Sequence, residues 1–191
     1  MQTDEDLIKR CIARDRQAQK ILYERYAPLL LGVCIRYAID RDEAEDILQE
    51  GFIKVFFHLH EYSGYGPLVN WMRKIMVNTA ITHYHRTLKH RYHSELDDIQ
   101  EYGAIAGDFS EGDFTREELL EVIHSLPPGY RMVFNLYAVE GFKHREIAEM
   151  MNIDVNTSKS QYSRARQIIR QKLEKLSREA LKKEENENEQ K

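Results

Sequence analysis

The chain has 191 residues, of which 42% are hydrophobic and only 9 are Gly and 4 Pro; this supplies cores for one ordinary domain or two small ones and favours helix over strand. No apolar run reaches the roughly 18 to 20 residues that a bilayer span needs. The start, Met1 to Asp6, is acidic where a signal peptide is basic, so no membrane insertion is expected and the expected location is cytoplasmic. The net charge of −4 argues weakly against a nucleic-acid partner until its distribution along the chain is read.

Thr3 and Asp6 resemble a capping box, and Leu7, Cys11 and Ile12 continue it as a helix to about Ala13. A second helical run, Gln17 to Tyr26, carries Ala18, Ile21, Leu22 and Tyr26 on one face. Pro28 suits the first turn of a further helix reaching about Ala38. Cys11 and Cys34 lie far apart in helical segments, a pattern of buried thiols rather than of a disulfide framework or a metal site.

The clearest helix starts at Asp40, an N-cap with Glu43 three residues on. Ala44, Ile47, Leu48, Gly51, Phe52, Val55, Phe56 and Leu59 form its core stripe, leaving Glu43, Asp46, Gln49, Glu50, Ile53 and Lys54 off that face. Tyr62 to Pro67 is a cluster of breakers, hence a loop with two exposed tyrosines, followed by a helix from about Leu68 to Lys89. From Trp71 to His93 there are five Lys or Arg, four His and no acid; from Ser94 to Thr115 there are seven acids and no Lys or Arg. Ser94 to Asp113 therefore reads as a flexible acidic linker.

The second domain begins near Phe114, with a helix through Ser125 that stops before Pro127-Pro128-Gly129 and another from Tyr130 to Val139. Lys143 to Met151, a turn at Asn152-Ile153-Asp154 and a long helix from Asn156 to about Leu181 have the proportions of a helix-turn-helix. Between Lys143 and Arg178 there are nine basic residues against four acidic. Ile147, Ala148 and Met151 would pack inward, with Ile153 and Val155 at the turn and Ile169, Leu173 and Leu176 on the second helix. Asn152 tolerates the left-handed backbone such a turn requires. Thr157, Lys159, Ser160, Ser163, Arg164 and Gln167 would then face outward, where a major-groove reader needs donors and short hydroxyls. The spacing alone also fits the solvated face of a structural hairpin.

Asp42 to Phe52, Asn70-Trp71-Met72, Leu126-Pro127, Glu146-Ile147-Ala148-Glu149 and Thr157-Ser158-Lys159-Ser160-Gln161 to Arg164-Ala165-Arg166 together resemble, in order and spacing, the extracytoplasmic-function (ECF) subfamily of sigma-70 RNA polymerase sigma factors, over roughly residues 5 to 178. Ser158 stands where the family usually has Val, and Gln161 where it often has Arg; the first is expected to loosen packing and the second to alter sequence preference.

The resemblance implies an all-α protein of two small helical domains: residues 1–93 for core polymerase and the minus-ten element, a linker at 94–113, a four-helix domain at 114–181 containing the helix-turn-helix for the minus-thirty-five element, and a disordered tail at 182–191. It implies that Asp46, Gln49, Glu50 and Ile53 meet core RNA polymerase. Tyr62, Ser63 and Tyr65 would form a pocket for bases exposed on strand opening, with Asn78, Thr79 and Thr82 on unpaired bases and Arg73, Lys74 and Arg86 near the backbone. Trp71, among Leu68, Met72 and Ile75, suits packing better than stacking. Promoter DNA and an anti-sigma factor are the further partners implied; no cofactor, metal or small-molecule substrate is.

Two other classes compete. His83 and His85, two apart on a helix, diverge by about 200° and cannot share one tetrahedral ion, and no Gly-rich phosphate loop or nucleophile elbow is present, which opposes an enzyme. A stand-alone repressor would use the helix-turn-helix but leaves the first domain unexplained and lacks a heptad seam for dimerisation.

Overall fold

The computed structural model describes residues 3–91 and 114–189, and every regular element among them is helical. The chain divides into two units, Met1–His93 and Ser94–Lys191. The acidic segment 94–113 lies outside the described residues.

The first unit holds α1 (Asp4–Ile12), α2 (Arg16–Ile35), α3 (Arg41–His58) with a 3-10 turn at Leu59–Glu61, and α4 (Leu68–Arg91). Each of the first three starts on a side chain that accepts an otherwise orphaned N–H: Thr3 from Asp6, Asp15 from Gln17 and Ala18, Asp40 from Glu43. Glu43 in turn accepts from the Ile39 N–H at 2.6 Å, fixing the chain's entry into α3. Asp4 ties α1 to α2 by accepting from Arg25 at 2.6 Å and from the Tyr26 hydroxyl at 2.7 Å.

One expectation fails here. The break placed before Pro28 does not occur, and α2 runs unbroken through it. Proline there removes the N–H that would have bonded the Glu24 carbonyl, but Glu24 and Pro28 are both exposed, so water can serve that carbonyl. Leu22, Ala27, Leu30, Val33 and Cys34 continue one buried face across the proline. Burial of that face holds the helix together.

The core stripe read on α3 packs against α2 and α4: Ala44, Ile47, Leu48, Gly51, Phe52, Val55 and Leu59 are buried, and Phe56 partly so. Gly51 leaves room for the Met76 thioether of α4, whose sulfur a Cβ there would overlap. Cys11 and Cys34 are buried free thiols, pushed up to about 11 and about 12 mainly by burial.

The second unit holds α5 (Arg116–His124), α6 (Pro128–Phe134), α7 (His144–Met151) and α8 (Val155–Glu189). Thr115 and Glu118 close a reciprocal capping box on α5. The helix expected from Tyr130 to Val139 instead widens after Phe134 into a π-type turn at Asn135–Val139, with the Glu140 N–H donating to the Asn135 carbonyl five residues back. Asn152 takes the left-handed conformation, φ 52° and ψ 48°, that the turn requires. The last helix is longer than read from sequence and continues past Leu181 to Glu189.

Candidate nucleic-acid and partner interfaces

On α4, Lys74, Asn78, Thr82 and Arg86 are all exposed and follow one another at intervals of four, so they form one slanting ridge. Asn70, which the sequence reading did not single out, starts the same ridge and is also exposed. From Asn70 to Arg86 the ridge rises about 24 Å at 1.5 Å per residue. Arg73 lies beside it and is half-buried.

Thr79 is off the ridge. It is 0% exposed; its hydroxyl donates to the Ile75 carbonyl at 2.8 Å and accepts from Lys54 Nζ at 3.1 Å. The expectation that Thr79 contacts a base is therefore withdrawn: a threonine bonding back to the carbonyl four residues earlier turns its side chain toward the helix, and α3 covers it. Helical spacing alone did not separate Thr79 from its neighbours Asn78 and Thr82.

The loop before α4 is shaped by Gly64 and Gly66, at φ +75° and +81°. The Tyr62 hydroxyl donates to the Gly66 carbonyl at 2.5 Å, and its ring lies 5.7 Å from Trp71 at 55°. Trp71 is only half-buried, so it both packs and borders the loop. Ser63 and Tyr65 stand at the surface, Tyr65 at 97% exposure.

On α3, Asp46, Gln49 and Ile53 are exposed, while Glu50 sits on the edge that faces α4. There it accepts both nitrogens of the Arg86 fork, at 3.0 and 3.2 Å, and His83 Nε2 lies 3.1 Å from the same carboxylate. The Arg86 guanidinium, aided by His83, holds the Glu50 carboxyl below the ordinary carboxylate range, and Arg86 is raised in return. One residue read as a polymerase contact and one read as a DNA-backbone contact are thus joined, a pairing across 36 positions that no local pattern announces.

In the second unit, Ile147, Ala148 and Met151 of α7 are buried, as are Ala165, Ile168 and Leu173 of α8; Ile153, Val155, Ile169 and Leu176 are half-buried. Lys159, Ser160, Ser163 and Arg164 are exposed, Thr157 and Gln167 partly so. Asn156 belongs to the same surface at the start of α8 and was missed. Its N–H caps on Asp154 at 2.7 Å. Arg164 donates to the Tyr130 hydroxyl at 3.2 Å, which orients it from α6.

Behind this surface lies a cluster that spacing did not reveal. Tyr137 stacks on His144 at 4.3 Å and meets Tyr162 at 4.4 Å, and Phe134 stacks on Tyr162 at 6.2 Å. Ser158 does not loosen this packing: it is 0% exposed and bonds His144 Nδ1 at 3.0 Å. Burial, then the Lys159 charge, lowers the His144 pKa from its ordinary value. Gln161 is half-buried, its Oε1 enclosed, away from the exposed row.

The family pattern described as Sigma-70 region 2 matches residues 22–90, and that described as Sigma-70, region 4 matches residues 116–169, one on each unit. The chain is 30% identical over 193 residues to the RNA polymerase sigma-H factor of Pseudomonas aeruginosa, covering 93% of this chain and 97% of that one. It is 31% identical over 186 residues to the ECF RNA polymerase sigma-E factor of Escherichia coli K12, covering 92% and 97%. To the ECF RNA polymerase sigma-E factor of Haemophilus influenzae it is 28% identical over 184 residues, covering 91% and 97%.

Proposed function

The chain belongs to the RNA polymerase sigma-70 family, in its extracytoplasmic-function (ECF) branch, and we propose how its two helical units divide the work of initiation. It is a sigma factor and not an enzyme: it binds core RNA polymerase and directs it to start transcription at promoters, recognising the minus-ten and minus-thirty-five elements. One observation carries this reading: two sigma-70 regions follow each other in family order, each confined to one unit, within a likeness that spans more than nine-tenths of the chain.

In this proposal the exposed face of α3 with Asp46, Gln49 and Ile53, and Glu50 at its edge, meets core polymerase. The α4 ridge takes the downstream element. Lys74 and Arg86, with Arg73 beside them, follow phosphates; Asn78 and Thr82 meet opened bases; and Tyr65, Ser63 and Tyr62 offer a surface on which a flipped base stacks. An enzyme-free opening of this kind needs only differential binding to the single strand, which cationic groups on the ridge and tyrosines in the adjoining loop supply.

In the second unit, Lys159, Ser160, Ser163 and Arg164, flanked by Thr157 and Gln167, read the upstream duplex from the major groove. The site of action is the cytoplasm, where the polymerase works. An anti-sigma factor is part of the same proposal and would act by covering one or both of these surfaces.

Transcription with purified core polymerase and a library of genomic promoter fragments tests the assignment. Discrete transcript starts that depend on the chain are expected. Absence of any defined start site would overturn it, and tight binding of duplex by the chain alone, unaffected by core, would favour a stand-alone repressor.

A further inference from the structure

Ile53 and Phe57 are 68% and 72% exposed, one helical turn apart near the end of α3. The neighbouring aromatic is spent differently: Phe56 packs toward Phe52 at 5.9 Å and is half-buried. Phe57 is therefore not a core residue that failed to reach the interior; it stands on the opposite side of the helix. Asp42, Asp46, Gln49, Ile53 and Phe57 are spaced by four, three, four and four residues, which places them on one face. That face is about 22 Å long at 1.5 Å per residue.

Its composition changes along its length. The amino-terminal end is acidic, the middle an amide, the carboxy-terminal end wholly apolar. The apolar end is also held in place: the Phe57 ring meets His58 edge-on at 5.1 Å, His58 bonds Glu61 at 2.8 Å, and His60 bonds the Phe57 carbonyl at 3.1 Å. A large aromatic kept at the surface by an ordered helix end, continuous with a charged stripe, has the character of an interface hot spot.

We propose that Phe57 is the apolar anchor of the polymerase-binding face, and that the face fits an elongated element of core polymerase bearing cationic side chains opposite Asp42 and Asp46 and an apolar pocket opposite Ile53 and Phe57. This rests on the reading of α3 as the polymerase surface and adds to it an apolar anchor residue. The two ends then respond differently to salt. Attraction at the acidic end is screened as ionic strength rises, whereas burial of the phenyl ring is not.

The test is the affinity of the full chain for purified core polymerase at low and high salt, for wild type, Asp46→Arg, Phe57→Ala and Phe57→Leu. Phe57→Ala is expected to weaken binding about tenfold to thirtyfold by the same factor at both salts. Phe57→Leu should recover part of that loss, and the Asp46→Arg loss should shrink at high salt. Unaltered helical circular dichroism certifies the fold, as the ring is at the surface. Normal core affinity for Phe57→Ala with a loss for Asp46→Arg overturns the anchor and leaves the polymerase face standing; no loss for either variant overturns both. Concentration-dependent self-association of the wild type that Phe57→Ala abolishes, with core affinity unchanged, assigns the patch to a second copy of this chain and likewise overturns it.

Discussion

Both units display polar side chains along an exposed helix, but they support that display in different ways. In the first, α3 and α4 meet through aliphatic and thioether packing around Gly51 and Met76, and the two faces proposed for polymerase and for the downstream element touch through Glu50, Arg86 and His83. In the second, α8 is backed by rings and an imidazole, with Ser158 buried beneath the exposed row and bonded to His144. The first unit couples two faces across an apolar seam; the second adds polar, titratable groups to the apolar core behind its exposed row. Core composition therefore decides how each unit answers to cavities, to salt and to acid.

The largest effect should come from the apolar seam. Ile47→Ala, at a site 1% exposed, is expected to cost about 2–5 kcal/mol in the first unit, read by hydrogen exchange resolved along the chain. Equal loss of protection in the second unit would break the contrast, since it requires the units to unfold separately. Next, Arg164→Ala should relax discrimination at the upstream element by about 1–3 kcal/mol, while Arg86→Ala should weaken promoter binding without changing preference and lower the salt slope by about 1. Competition with mutated promoter fragments at several salt concentrations separates the two. If Arg164→Ala weakened all sequences equally, it would be a phosphate contact, as Arg86 is proposed to be.

A smaller change is expected from Ser158→Ala, which strips His144 of its partner and should destabilise the second unit by about 1 kcal/mol. The smallest is a pH effect of the same cluster. Because His144 is lowered in the folded state, the unfolded chain binds its proton more readily, so stability is complete above the ordinary histidine pKa and falls as pH drops through it. Thermal melts of His144→Asn should flatten that slope below pH 7; a slope unchanged in the variant would place the titration elsewhere.

Much of this was legible in the sequence because caps, turns and buried stripes are local. Asp40 with Glu43, the stripe from Ala44 to Leu59, and Asn152 at a left-handed turn all follow from residue type and spacing. What escaped depends on neighbours distant in sequence. Pro28 is tolerated because a buried face runs past it, and Thr79 is hidden because Lys54 and α3 reach it. The link between Glu50 and Arg86 joins residues 36 apart, and periodicity gives the azimuth of each without naming what stands opposite. Phe57 was passed over for another reason: helical phase put Phe56 in the core stripe and left Phe57 out of it, but phase alone did not single Phe57 out among the off-core residues, and its 72% exposure does.

The Glu50 carboxylate has two claimants on α4 and lies at the margin of the face on α3. A ligand on α3 that drew it away would leave the Arg86 guanidinium without its carboxylate partner and make the potential over the α4 ridge more positive. Thermodynamic reciprocity then obliges a phosphate that captures Arg86 to release Glu50 toward α3 to the same energetic extent. On the proposed assignment of the two faces, a single acidic side chain would make occupancy of either one felt at the other.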